Sequence, residues 1–177
     1  MSKWRLERPP MVKQGVGYKC WAAALESWCA VTPYRLNWTQ DELLERRNLY
    51  VTPFDPTLPL DPSGYPQEGA INADVFKLMN KDIVLRLNMD YGEQPRGAQV
   101  DQDYFFNLLY ENGYLFVVYT ASSSGVRHAN VIWAASSDGD VSTMDPMRGS
   151  YIQKVMEELR TPFLVAWASK EYLDPWA

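Results

Sequence analysis

Histidine is nearly absent from this chain: 177 residues contain one, His128. Cysteine is scarce too, with only Cys20 and Cys29. These three residues fall short of the four ligands of a structural zinc site, so no metal and no other cofactor is expected. On one helix, nine residues at about 100° each turn the two thiols to opposite sides. They cannot pair there, and a reducing compartment is the expected setting. No cluster of Lys and Arg is present and the formal net charge is −5, which argues against a nucleic-acid-binding face. The opening "MSKWRLERPPMVK" lacks the apolar core of a signal peptide. No apolar run approaches the roughly 20 residues of a membrane span. The expected location is therefore the cytoplasm of the producing cell.

What is abundant is core material. Apolar residues make up 46% of the chain, with 7 Trp and 11 Tyr. That suffices for one domain over residues 1–177. Residues 1–13 read as an extended arm. Residues 19–30 read as a buried helix with Trp21, Ala24, Leu25 and Trp28 on its apolar side. Thr39 with Glu42 forms a capping box ahead of a short exposed helix. Prolines 53, 56, 59, 62 and 66 mark a long irregular loop. Asn72 caps a helix over 73–80, residues 83–89 read as a strand, and residues 102–112 read as a helix ended by Gly113. Strands follow at 114–121, 128–135, 140–145 and 163–169, with a short helical patch near 152–160. Helices first and strands later predict an α+β fold, with a helical half over about 1–112 and an antiparallel sheet half over about 113–177.

Against this outline, "QGVGYKCWAAALESW" (residues 14–28) stands out. Cys20 lies at the predicted start of a helix, behind Gly15 and Gly17. A thiol is a weak nucleophile until ionised, and both a helix N-terminus and a neighbouring imidazolium favour the thiolate. The only imidazole, His128, opens an apolar strand after the Ser/Gly stretch 122–125. Asp145, followed by Pro146, closes the next strand and is placed to orient that imidazole. Asn130 and Asp140 are rivals for this role. A two-residue turn at Asp138-Gly139 would set Asp145 opposite Ile132, about 13 Å from His128 at roughly 3.3 Å per residue. Contact between the two therefore requires a wider loop or a bulge. Gln14, six residues before Cys20, can bring a side-chain amide to the same pocket as the Cys20 N–H, as an oxyanion hole requires. Gly69, after the proline loop, is a candidate for close approach of substrate backbone, and Trp21 for lining the cleft. Cys29 reads as core.

Gln-x5-Cys-Trp-Ala, then a strand-opening His, then Asp-Pro closing the following strand, resembles papain-like cysteine peptidases. The bacterial branch, which includes double-glycine peptidases and injected cysteine protease effectors, is the most similar. Carried over on these motifs, Cys20 is the nucleophile, His128 the base and acid, Asp145 the orienting group, and Gln14 the oxyanion-hole amide. The motifs span residues 14–24 and 128–146. The chain departs from plant and lysosomal papains at Gly17-Tyr18-Lys19, where those carry a further Cys, and it lacks their disulfides and pro-segment.

The resemblance implies a papain-like fold, with the nucleophile helix packed on the sheet, and an endopeptidase acting on protein substrates. Cleavage is expected after small residues, such as Gly-Gly. An amidase, deamidase or acyltransferase would use the same chemistry, and a non-catalytic binding module could use the same scaffold. With 19 residues ahead of Cys20, no folded inhibitory segment is expected there. Control is expected from a separate inhibitor, or immunity protein, covering the cleft of an effector or toxin. Such an enzyme would be exported without a cleaved signal and act in a target cell.

Overall fold

A computed structural model describes residues 2–32, 38–82, 87–95, 97–121 and 127–170. Its centre is an antiparallel sheet. The strands are β1 (Lys3–Arg5), β2 (Met89–Gln94), β3 (Leu115–Ala121), β4 (Arg127–Ser136), β5 (Asp140–Asp145), β6 (Ser150–Val155) and β7 (Leu159–Ala168). They run in the order β2-β7-β3-β4-β5-β6, with β1 also paired to β4. The helices are α1 (Cys20–Val31), α2 (Gln40–Arg47), α3 (Ala73–Asp82) and α4 (Tyr104–Asn112).

Both sheet faces are covered. Alternation along β3 sends Phe116 into a core shared with α1 and α3, and sends Leu115 and Val117 into a second core shared with α4. The helix α1 is buried on nearly every side from Trp21 to Cys29, which explains its almost unbroken apolar composition. It packs on β4 and α2. Its end is closed by Thr32, whose hydroxyl donates to the Trp28 carbonyl at 2.7 Å. Trp28 is fully buried and donates its indole N–H to the Tyr114 carbonyl at 3.0 Å, pinning the helix to the start of β3. Trp28→Ala should lower unfolding stability by about 3–5 kcal/mol in denaturant titration, from lost burial, a cavity and an unpaired carbonyl.

Local signals set several boundaries. Thr39 and Glu42 form the capping box of α2. Asn72 accepts the Val75 N–H at 2.8 Å at the start of α3. Gly113 takes φ +79 at the end of α4, a conformation that favours glycine. The arm is held along its length: its carbonyls at Glu7, Pro9 and Pro10 accept from Tyr114, Tyr151 and Ser27. This path delivers Gln14 to the turn after β5, where its N–H donates to the Pro146 carbonyl at 3.0 Å.

Three elements differ from the sequence expectation. Residues 152–160 are not a helical patch: β6 runs to Val155, a single 3-10 turn covers Met156–Glu158, and β7 begins at Leu159. Continuous pairing of Asp140–Asp145 with Ser150–Val155 outweighs the helical preference of "QKVMEEL". Of the strand expected at 83–89, only Met89 is strand among the described residues. Residues 83–86 fall outside the described residues, and β2 runs Met89–Gln94, paired throughout with β7. Asn80 fixes its start by bonding both the N–H and the carbonyl of Met89. Finally, β1 and β2 arise ahead of residue 113, so the sheet is not confined to the C-terminal half. Among the described residues, no helix is long and apolar enough to cross a membrane.

Candidate active site

Cys20 is the first residue of α1. No side chain caps that helix end, so its first N–H groups face the region of the thiol. Cys20 is half-buried, whereas Cys29 is inside the core with 2% of its surface exposed.

His128 is the second residue of β4 and Asp145 the last of β5. Near the β4–β5 turn, Ala135 pairs with Val141 and Ala134 with Ser142. The register then shifts at Trp133, so that Ile132 pairs with Thr143 and Val131 with Met144. This bulge slides Asp145 toward the start of β4 and sets it diagonally across from His128 on the same face, within reach of long side chains. His128 Nε2–H donates to Asp145 Oδ1 at 2.8 Å. Cys20 is near enough on its other side to raise the proton affinity of the ring. With Nε2 taken by Asp145, Nδ1 is the nitrogen left for sulfur.

The electrostatics follow from these contacts. Burial pulls the His128 pKa down, but the bond to Asp145 and the nearness of Cys20, with their negative charges, outweigh it and raise the value to about 9. Asp145 is opposed by burial as well. The bond and charge of His128, the Arg148 N–H and the Lys154 charge nevertheless hold its carboxyl below the usual range. Its Oδ1 also accepts the Met147 and Arg148 N–H groups at 3.0 and 3.1 Å, so the turn begun by Pro146 fixes the carboxylate. Tyr119, opposite His128 on β3, contacts the imidazole edge to face at 5.9 Å. Asn130 turns to Thr143 instead, donating to its hydroxyl at 3.0 Å. Asp140 lies at the far end of β5 and accepts from Gln153.

Gln14 donates its side-chain amide to the Gly17 carbonyl at 3.3 Å, which leaves the second amide hydrogen free. Trp21 is buried, and its indole N–H donates to the Gly69 carbonyl at 2.6 Å. Gly69 has φ +80, and a Cβ there would lie 2.8 Å from the Tyr18 carbonyl oxygen. Its backbone thus closes on the chain's own loop ahead of Cys20. The indole of Trp21 forms part of the wall of a cavity of about 440 Å³, together with Ile71, Phe76, Phe116, Val118 and Leu164. Glu93, Gln94 and Arg127 supply polar groups to this otherwise apolar lining. No group of three or more potential metal ligands occurs among the described residues.

Sequence reasoning missed Arg47 and the turn at 67–70. Arg47 follows Arg46 at the end of an exposed-looking helix, and nothing in the sequence separates them. Arg46 stacks over Trp38 at 3.8 Å, while Arg47 turns inward.

No protein-family model matches the chain, and no curated protein does so. Among solved structures, the chain is similar to the peptidase domain of Streptococcus ComA, a bi-functional ABC transporter involved in a quorum-sensing pathway. The TM-score is 0.56 at 15% sequence identity, over 89% of this chain and 97% of that domain. The helices, the antiparallel sheet and this likeness together give the chain the fold of a papain-like peptidase domain.

Proposed function

We propose that this protein is a cysteine endopeptidase. The observation that carries the reading is the placement of its only histidine, hydrogen-bonded to Asp145, with Cys20, the first residue of a helix, close enough to raise its pKa. In this reaction the Cys20 sulfur attacks the peptide carbonyl carbon. Negative charge develops on the carbonyl oxygen, which the Cys20 N–H and the free amide hydrogen of Gln14 stabilise. His128, held protonated by its neighbours, gives a proton to the leaving amine and an acyl-enzyme remains. The imidazole then takes a proton from water, hydroxide adds to the thioester, and the acid product leaves with Cys20 regenerated. Asp145 keeps the ring oriented throughout.

The cavity beside Trp21 supports a substrate with a bulky apolar side chain close to the scissile bond. Its volume of about 440 Å³ lies in the range of ligand pockets, and its walls reward apolar burial at about 25 cal/mol per Å². Digestion of a peptide library derived from a whole proteome tests both points. Cleavage at sites carrying Leu, Met or Phe within about two residues of the cut, with small residues at the cut itself, is expected. Folded protein that leaves every peptide bond intact, yet releases ammonia from glutamine side chains, would replace the peptidase with a deamidase.

A further inference from the structure

We infer that Arg47, remote from the reacting atoms in sequence and at the far end of α2, is the positioning residue that sets the nucleophile loop against His128. Its side chain is buried, with 4% of the residue exposed. Burying a guanidinium requires that its donors be used. Arg47 Nε donates to the Ala70 carbonyl at 2.8 Å and Nη2 to the Gln67 carbonyl at 2.9 Å. Nη1 donates to Asn48 Oδ1 at 3.0 Å. One planar fork thus bridges both ends of a single turn, which the point charge of a lysine cannot do.

That turn grips the residues around Cys20. The Gly69 carbonyl accepts the Trp21 indole N–H at 2.6 Å, directly after the nucleophile. The Glu68 carboxylate pairs with Lys19 at 2.6 Å, directly before it, and the Glu68 carbonyl accepts the Tyr18 N–H at 3.4 Å. Gly69 presses on the Tyr18 carbonyl so closely that no Cβ fits. Residues 18, 19 and 21 are therefore all referenced to a turn whose own shape is held by Arg47. Ile71 and Ala73, in the cavity wall, follow immediately along the chain.

The role of Cys20 rests on the peptidase reading, but its placement can be measured without substrate. His128 is the only histidine, so one imidazole signal reports its titration by NMR. In the wild type it should titrate at about 9, with Cys20 contributing. In Arg47→Met the midpoint should fall from there toward the ordinary value near 6.5 as the Cys20 contribution is lost, while the bond to Asp145 remains. Iodoacetamide labelling of Cys20 at pH 7 should slow at least about fivefold. Arg47→Lys, which keeps the charge but loses the fork, should fall between. Gly69→Ala, which displaces the same turn without touching Arg47, should reproduce the effect if Arg47→Met does not fold. Folded variants that titrate and label like the wild type overturn the inference. A wild type that titrates and labels as expected, with Arg47→Met altered, but that cuts no peptide bond removes the peptidase and leaves the positioning role standing.

Discussion

Cys20→Ala and His128→Ala are each expected to abolish peptide cleavage, with kcat/KM down by at least about 10⁴, and the double variant to be no worse than either single one. In the proposed mechanism both residues serve one sequence of proton and acyl transfers, so losing either removes the whole. The fold survives Cys20→Ala because alanine is a strong helix former and the thiol is only half-buried at the helix start. His128→Ala leaves the buried Asp145 carboxylate without its charged partner, though still held by two backbone N–H groups. A cost of roughly 1–3 kcal/mol and a cooperative melt are expected. Turnover of a cleaved library peptide, measured beside thermal unfolding, separates the two effects. Near-normal turnover in either variant would mean that Cys20 and His128 do not form the catalytic pair.

Asp145→Asn should lower activity by about 10²–10³ without erasing it, since the orienting group sets ring geometry and charge but forms no bond to substrate. It should also change the pH dependence. The His128 pKa is raised, so its stabilising contribution is complete below about 6.5 and is lost as pH rises through about 9. The Asp145 pKa is lowered, so its contribution is present above about 3.8 and is lost as pH falls through the folded-state value. The wild type should therefore be most stable between these limits and lose activity near pH 9, where His128 loses the proton it gives to the leaving amine. In Asp145→Asn the alkaline limb moves down toward 6.5 and the acid loss of stability shrinks. Melting temperature and kcat/KM between pH 3 and 10 measure both limbs. An alkaline limb that stays near 9 would assign the His128 shift to something other than Asp145.

The legible parts of the fold are those whose local signal and tertiary role agree. Ala22–Leu25 form helix both by propensity and by burial, and Thr39 with Glu42 caps where a cap is needed. The apolar runs at 115–121 and 127–136 are strands because both sheet faces are covered. The parts that misled are those where pairing overrides propensity. The stretch "MDYGEQ" carries little β preference, yet it lies along β7, and "QKVMEEL" looks helical but lies partly along β5. Cys20, His128 and Asp145 could be singled out because each sits at the end of an element. The contact of His128 with Asp145 depends on the bulge at Trp133; the spacing requires a bulge or a wider loop, but nothing in the sequence chooses between them or places it at Trp133. Gly69 reads in the sequence as a glycine beside a cleft, and nothing there marks its close approach to Tyr18. Delivery to another cell and a guarding inhibitor came with the family resemblance and are written in no residue.

Whether His128 activates Cys20 for acyl transfer is read from intact-protein mass after exposure to a thiol-reactive peptide warhead carrying an apolar side chain. One adduct is expected, mapped to Cys20 and not to Cys29, forming at least about 10²-fold more slowly in His128→Ala. Labelling of Cys20 at the same rate with and without His128, or no faster than a small thiol in solution, would contradict that activation.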